Sequence, residues 1–204
     1  YWCEQNKGSK NTCSNAPAAV FAFKIFKATG DSLYYRSGEE LYKWTKKNLQ
    51  DTTDKLYFDN INLEGKIGKA KYAYNSGQMM QAAALLYKLT QNQEYLREAQ
   101  DLAVACYDYF FHDFTTSGGD TFRMLNEGDV WFTAVMLRGF IELYHIDGNK
   151  KYLCDYKKSM DYAWNNARDE DGLFSADYSG KKQDNKKWLL TQAAIVEMYA
   201  RLAR

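Results

Sequence analysis

The feature that most constrains the fold is a short pattern that occurs three times at nearly equal spacing. The copies cover residues 25–35, 86–96 and 143–153, and they begin about sixty residues apart. Each copy contains the end of an apolar helical segment, a tight turn with Gly, Asn or Asp, and the start of a second helix. Because a repeated unit of this kind builds the whole fold, the pattern predicts a series of helical hairpins.

The repeat predicts two layers of helices. An inner, mostly apolar set is predicted over residues 14–28, 76–89, 129–144 and 187–204. An outer, amphipathic set is predicted over residues 32–49, 94–111 and 150–167. A helix that is apolar on nearly all sides is normally buried, and alternation of buried and amphipathic helices is typical of an α/α toroid. We therefore predict an all-α fold of the (α/α)6 barrel type, incomplete with about seven helices, as a single domain over residues 1–204.

Loop lengths predict where the functional end lies. Short turns join the two helices of a hairpin, whereas long segments connect successive hairpins over residues 50–74, 112–128 and 168–186. Within these segments, residues 55–61 and 169–174 are predicted to be extended, and residues 115–127 are predicted to form a loop. Because long loops commonly carry binding groups, we expect the site at the long-loop end.

One inner helix, predicted within residues 72–90, begins in a cluster of polar and aromatic residues. The cluster consists of Tyr72, Tyr74, Asn75, Ser76 and Gln78, and a run of Met, Ala and Leu follows it. Asn75 or Ser76 is predicted to cap the helix, and Gly77 permits close approach to the backbone. These groups can hydrogen-bond and stack, which predicts the floor of a pocket. A capped core helix beside an ordinary loop explains the same residues.

Composition favours a sugar-binding surface and argues against two other classes of protein. The chain has 27 basic and 26 acidic residues, so it lacks the basic surface that nucleic acid or an anionic membrane requires. No apolar run is long enough to span a bilayer. Aromatic residues make up 16% of the chain, including 17 Tyr and 5 Trp. Such rings stack on the C–H faces of sugars while their polar atoms pair with hydroxyls, although a Tyr-rich core explains them too.

The cysteines and histidines predict no metal site and no cofactor. These residues are Cys3, Cys13, Cys106, Cys154, His112 and His145. No two cysteines form a Cys-x-x-Cys pair, and neither histidine lies in a metal-spacing motif. We interpret the cysteines as buried or half-buried free thiols. Both histidines are predicted at the C-terminal ends of helices, where a structural role is easier to explain than catalysis.

Three short motifs, taken in order, carry a resemblance to a known family. They are Ser9-Lys10-Asn11-Thr12-Cys13-Ser14-Asn15, Tyr57-Phe58-Asp59-Asn60 and Tyr74-Asn75-Ser76-Gly77. Over about residues 1–180 this order resembles glycoside hydrolase family 76. The resemblance implies an (α/α)6 barrel and retaining endo-α-1,6-mannanase activity on yeast mannan or related polysaccharides. It also implies a location in the periplasm or at the cell surface, although the residues themselves leave a cytoplasmic location open.

The resemblance also indicates what this chain lacks. Family members use two adjacent aspartates, one as nucleophile and one as acid/base, in a segment that precedes the Lys10-Asn11 motif. No two aspartates are adjacent in this sequence, and the nearest approach, Asp169-Glu170-Asp171, is typical of a turn. We therefore predict that the chain is the C-terminal portion of the barrel and that its catalytic residues are unknown. The intact protein is expected to hydrolyse α-mannosidic bonds, whereas this chain alone is not expected to hydrolyse them.

The resemblance nominates seven residues for the sugar-binding cleft. They are Trp2, Lys10, Asn11, Asn15, Asp59, Tyr74 and Asn75. Other roles stay open for several of them, because Asn15 can cap its helix, Lys10 can be a solvated charge and Asp59 can pair with loop backbone. Trp131 can stack on a sugar or pack in the core. The family usually has Gln where this chain has Ser76, which leaves one polar contact open.

Two alternative functions fit the same helices. One is another sugar enzyme on this fold, such as an unsaturated glucuronyl hydrolase or an epimerase. The other is a non-catalytic glycan-binding or scaffold protein, which the missing aspartate pair favours. In each case the expected partner is a polysaccharide or oligosaccharide. An incomplete toroid also exposes the edges of its inner helices, which predicts self-association.

Overall fold

The computed structural model describes residues 7–203, which form seven α-helices and five short β-strands. In chain order the elements are β1 (Ser9–Asn11), α1 (Thr12–Thr29), α2 (Ser32–Leu49), β2 (Phe58–Asn62), β3 (Ile67–Lys71), α3 (Ala73–Thr90), α4 (Gln93–Phe110), β4 (Phe111–Thr115), β5 (Thr121–Leu125), α5 (Val130–Asp147), α6 (Lys151–Asn166) and α7 (Leu189–Leu202). Each predicted helix is present, and its ends lie within about three residues of the predicted ones.

The three repeated turns share one stereochemistry. The inner helices α1, α3 and α5 each end at a residue with left-handed backbone, namely Gly30, Gln91 and Gly148. In each turn a short polar side chain then accepts a hydrogen bond from the backbone N–H two residues further on; these side chains are Asp31, Asn92 and Asn149. The left-handed residue ends one helix and the polar side chain starts the next, so each repeat closes a tight hairpin.

The helices are arranged in the two predicted layers. The inner helix α3 packs against α1 on one side and α5 on the other, and α5 packs in turn against α7. The helix that follows each inner helix lies behind it, as α2 lies behind α1 and α4 behind α3. The α/α toroid arrangement and the assignment of inner and outer helices are therefore confirmed. That residues 1–204 form the C-terminal portion of such a toroid stays a prediction.

The centre of the core is a close crossing of α3 and α5. A Cβ atom placed on Gly77 would lie 2.4 Å from the Met136 Cα, and one placed on Gly139 would lie 2.4 Å from the Gly77 carbonyl oxygen. The absence of a side chain at both positions lets the two backbones approach closely. Met79, Met80 and the following residues to Leu86 are buried, which fits a helix without a polar face.

Two small sheets lie at the long-loop end. Strands β1, β2 and β3 form one antiparallel sheet, and β4 pairs with β5 from Phe111↔Leu125 to Thr115↔Thr121. The prediction of a loop over residues 115–127 is wrong, because its second half forms a strand of this hairpin. Gly118-Gly119 marked the turn correctly, but polar and apolar residues alternate only over residues 121–124 and not in the preceding strand. Burial of Phe114, Met124 and Leu125 stabilises the pairing instead.

Some predicted details of the element ends need correction. Asn75 and Ser76 do not cap α3, because that helix begins at Ala73 and its N-cap is Tyr72. Ser76 is buried and accepts a hydrogen bond from the Tyr57 backbone N–H at 3.1 Å. His112 lies in strand β4, not at a helix end. Residues 169–174 contain no strand, and only an isolated bridge pairs Arg168 with Phe174.

Ion pairs connect the inner helices. The Lys88 ammonium on α3 lies 2.7 Å from the Glu142 carboxylate on α5. Further along α5, Arg138 donates two hydrogen bonds, of 2.7 and 2.8 Å, to the Glu197 carboxylate on α7. Glu197 also accepts a hydrogen bond of 2.6 Å from Arg201. The hydrogen bond from Arg138 is the largest cause that lowers the pKa of Glu197 below its ordinary value of 4.5.

The Glu197 contacts predict a pH-dependent stability. A lowered folded-state pKa gives stabilisation that is complete above about 4.5 and is lost as the pH falls through the folded value. Glu197→Gln should therefore reduce the difference in unfolding free energy between pH 6 and pH 3 by roughly 0.5–1 kcal/mol, since solvent screens the pair. Denaturant titrations at both pH values measure it, with the exposed Glu170→Gln as control. Equal changes in both variants would contradict the assignment.

The two edges of the helical array carry exposed apolar side chains. Phe21 on α1 is 66% exposed, and Leu189 and Val196 on α7 are 79% and 66% exposed. Exposed apolar surface of this kind commonly contacts a partner, so self-association stays a prediction. Among the described helices, none is both long and apolar enough to cross a membrane.

Candidate functional site

The candidate site lies where the inner helices begin. The long segments return the chain from each outer helix to the start of the next inner helix, so the first turns of α1, α3 and α5 share one end of the molecule. The β1–β2–β3 sheet is attached there, because Asn11 pairs with Asn60 and directly precedes α1, and β3 leads into α3. The functional end therefore combines polar strand residues with the first residues of buried helices.

Asp59 on β2 is the centre of a polar cluster. Its carboxylate accepts hydrogen bonds from the Asn60 amide at 2.8 Å and from the Asn75 amide on α3 at 3.3 Å. Burial and then the charge of Asp59 raise the pKa of Tyr74, and the Tyr74 hydroxyl also hydrogen-bonds Asp59. The phenol therefore stays protonated at neutral pH. We call Asp59, Asn60, Tyr74 and Asn75 the Asp59 cluster.

An aromatic stack adjoins this cluster. The Tyr74 ring lies between Tyr72, at a centroid distance of 5.6 Å, and Trp131 of α5, at 5.3 Å, and both neighbours are within 9° of parallel to it. Phe132 contacts all three rings edge-on. Offset stacking and edge contacts of this kind fix ring orientation. The arrangement presents apolar ring faces beside hydrogen-bonding groups, which is the combination that sugar recognition requires.

Two buried acceptor atoms in the first turns of α3 have no donor among the described residues. They are the Oδ1 atom of Asn75, which is fully buried, and the Oε1 atom of Gln78, whose side chain is 7% exposed. An unsatisfied buried acceptor costs about 1–3 kcal/mol. Because both atoms lie below the surface, an enclosed water is the kind of donor that could reach them.

The structure brings some of the nominated residues together and separates others. Asp59, Tyr74 and Asn75 form one cluster, and Asn11 lies beside it, opposite Asn60 in the sheet. Lys10 points away towards α2, with its ammonium 5.1 Å from the centre of the Trp44 ring. Asn15 is fully buried and donates to the Asn11 carbonyl at 2.8 Å. Lys10 and Asn15 line a separate 260 Å³ pocket.

Trp2 lies outside the described residues, so its nomination stays a prediction.

Sequence reasoning also gave too little weight to two positions. For Trp131 it did not decide between stacking and core packing, although a place in the first turn of an inner helix indicated the functional end. Gln78 was recognised only as part of a polar loop, yet a polar residue one position after Gly77 in an apolar helix indicates a special environment.

A cavity of about 270 Å³ lies next to the aromatic stack. Its walls are formed by Lys71, Tyr72, Ala73, Phe110, Asn126, Glu127, Gly128, Asp129, Phe132 and Thr133. Asp129 is the N-cap residue of α5, although its side chain makes no capping hydrogen bond. The cavity thus extends the candidate site from the ring stack to the loop between β5 and α5.

The chemistry available in the Asp59 cluster is recognition and not bond cleavage. Retaining hydrolysis of a glycosidic bond requires two carboxyl groups about 5–5.5 Å apart. The cluster contains one carboxylate, and that carboxylate is engaged by two amides and a phenol. Amide, carboxylate and phenol groups around stacked rings can hold a sugar in a defined orientation. In the described part of the chain, no group of three or more His, Cys, Asp or Glu residues is placed to hold a metal ion.

Comparison with protein families identifies the family to which the chain is similar. The model of Glycosyl hydrolase family 76 matches residues 1–121, which is more than half of the chain. No curated protein matches the chain.

Solved structures of the same family are similar to the described fold. A family 76 glycoside hydrolase from a bovine Bacteroides thetaiotaomicron strain has 40% identity and a TM-score of 0.93, over 96% of this chain and 44% of that one. A family 76 mannosidase from Bacteroides thetaiotaomicron has 39% identity and a TM-score of 0.91, over 96% and 55%. The chain therefore spans about half the length of these relatives.

A third relative has been solved with a sugar. It is an inactive variant of an α-1,6-mannanase from Salegentibacter, in which two adjacent aspartates are replaced by alanine, in complex with α-1,6-mannotetraose. Its identity is 25% and its TM-score is 0.80, over 97% of this chain and 60% of that one.

Proposed function

Because the chain belongs to glycosyl hydrolase family 76, we propose that it forms part of the substrate cleft of an enzyme that hydrolyses α-mannan. The intact enzyme would act within the polymer on α-1,6-mannosidic bonds with retention of configuration. The support for this linkage is the similarity to an α-1,6-mannanase solved with α-1,6-mannotetraose. A mannan hydrolase of this kind would act outside the cytoplasm, where such polysaccharides occur.

The observation that carries the proposal is the position of the Asp59 cluster beside the aromatic stack. Asp59 and Asn75 come from different elements, β2 and α3, and meet at 3.3 Å next to the ring of Tyr74. Sugar hydroxyls could donate to the Asp59 carboxylate, whose residue is only partly buried. A pyranose ring could lie against Trp131, whose one face is covered by Tyr74.

The bond-breaking step requires groups that this sequence does not contain. In the first step of a retaining mechanism, a carboxylate bonds to the anomeric carbon while the glycosidic bond breaks and a second carboxyl group protonates the leaving oxygen. In the second step, water hydrolyses the bond between the carboxylate and the sugar, and the second group acts as base. The Salegentibacter variant without two adjacent aspartates is described as inactive. No two aspartates are adjacent in the present 204 residues. We propose that the pair is supplied by a segment outside them.

Binding without cleavage is the expected behaviour of this chain. Isothermal titration calorimetry should detect binding of α-1,6-mannotetraose to the 204-residue chain, and product analysis should detect no cleavage. Absence of binding would contradict the proposed cleft. Cleavage by the chain alone would contradict the proposal that the two catalytic aspartates lie in a segment outside these 204 residues.

A fused protein separates the enzyme from the glycan-binding alternative. The segment of the Salegentibacter α-1,6-mannanase that carries its two adjacent aspartates would precede this chain. Cleavage with retained configuration supports the enzyme. Tight binding without cleavage by a folded fusion supports a scaffold, and turnover of unsaturated glucuronides in place of mannan supports the glucuronyl hydrolase alternative.

A further inference from the structure

The aromatic stack has a free end that faces a cavity. One face of the Tyr72 ring lies against Tyr74, while the side chain of Tyr72 is 36% exposed and lines the 270 Å³ cavity. Phe132, which meets the Tyr72 ring edge-on, lines the same cavity. We call this cavity the Tyr72 pocket. Its floor therefore offers an apolar ring face of the type on which a sugar ring stacks.

A carboxylate without a partner among the described residues lies at the rim of the Tyr72 pocket. The Asp129 side chain is exposed and has no hydrogen bond or ion pair within residues 7–203. Gly128, which precedes it, has a φ of 155° and no atom within 4 Å of the position where a Cβ would lie. The rim therefore leaves room for a ligand and provides a carboxylate that can accept hydroxyl hydrogen bonds.

Two anchored side chains form part of the wall of the Tyr72 pocket. Phe110, the last residue of the outer helix α4, is 9% exposed. Lys71 is the second, and its ammonium is held by Asp51 and Asp54, each at 2.6 Å. This part of the wall is therefore fixed by contacts within the protein.

We propose that the Tyr72 pocket binds a single sugar that branches from the mannan backbone. This inference rests on the proposed function, because the backbone must lie along Trp131 and Tyr74 for a branch to reach the Tyr72 pocket. A volume of 270 Å³ lies just below the roughly 300–1,000 Å³ of pockets that hold drug-sized ligands, which suits one monosaccharide unit and not a chain of several. The branch ring stacks on Tyr72, and its hydroxyls donate to Asp129. The preferred substrate is then a mannan with single-sugar side chains.

The test compares two ligands on the chain as given. One is linear α-1,6-mannotetraose, and the other is the same backbone with one α-linked mannosyl branch. Calorimetry should show that the branched ligand binds about 10- to 100-fold more tightly, which is the range that one added hydrogen bond to a charged group gives. Asp129→Ala and Tyr72→Ala should each bring the affinity ratio close to one. Asp129→Asn keeps a good N-cap for α5 and should give an intermediate ratio if the carboxylate charge contributes.

The matched control is Asp120→Ala, which removes an exposed carboxylate from the β4–β5 turn outside the Tyr72 pocket. It should leave the ratio unchanged. If the wild-type chain binds both ligands equally, the branch pocket is wrong while the mannan cleft stands. If it binds neither, the proposed function fails and this inference fails with it.

Discussion

Replacement of Gly77 by alanine is expected to destabilise the fold by about 2 kcal/mol or more. The added methyl group would lie 2.4 Å from the Met136 Cα, which is backbone and cannot rotate away. Alanine is a better helix former than glycine by about 1 kcal/mol, so the change would stabilise α3 if the position were exposed. Forced separation of packed helices typically costs about 1–3 kcal/mol and occasionally more, and here backbone meets backbone, so the clash should win.

Urea denaturation of the variant measures the effect, and Gly118→Ala is the matched control. Gly118 has no positive φ, and the added methyl group would find its nearest atom, the Thr116 hydroxyl oxygen, at 3.7 Å, so little change is expected. Gly139→Ala should resemble Gly77→Ala, because its methyl group would meet the Gly77 carbonyl. The double variant should lose less unfolding free energy than the sum of the two single variants, since both changes separate the same pair of helices. A stabilised Gly77→Ala variant would show that α3 and α5 are not in such close contact.

The arrangement of the helices was predictable because the signal is repeated. Three turns at similar spacing each combine a left-handed residue with an Asp or Asn that accepts a backbone N–H two residues further on, and that local chemistry determines the hairpins. The β4–β5 hairpin was not predictable in this way. Its stability comes from rings that other elements bring to it, as Phe114 meets Tyr162 of α6 at a centroid distance of 5.0 Å. Tertiary contacts of this kind leave no periodic pattern in the sequence.

The candidate site was predictable only in part. The motif resemblance located Asp59 and Asn75, but motif order carries no information on side-chain direction. Lys10 and Asn11 are neighbours in one short strand, and successive side chains of a strand point to opposite faces. Lys10 accordingly approaches Trp44 of the outer helix α2, whereas Asn11 lies beside the Asp59 cluster. The polar and aromatic start of α3 predicted a pocket floor that includes Tyr72, but the walls come from loops of two repeats, which the sequence alone does not bring together.

Asp59→Ala is expected to weaken binding of α-1,6-mannotetraose about 10- to 100-fold. A hydrogen bond to a charged group contributes about 1.5–3 kcal/mol, and the substitution removes the carboxylate that we propose for sugar hydroxyls. It also releases Asn75 and Tyr74, which Asp59 holds in place, so the stacked ring would lose a fixed orientation. Asp59→Asn should lose less affinity, because the amide oxygen can still accept a hydrogen bond from Asn75. The affinity that it does lose reports the contribution of the negative charge.

Calorimetry on the chain as given measures both variants, and Asp113→Ala serves as the control because the Asp113 side chain is 98% exposed on β4. Near-UV circular dichroism, which reports aromatic packing, separates loss of a direct sugar contact from disorder of the ring stack. If Asp59→Ala binds as tightly as the Asp113→Ala control, then Asp59 organises the turn between β2 and α3 and contributes nothing to recognition. In that case Trp131 would have to hold the sugar without a charged group, and affinity would depend on stacking alone.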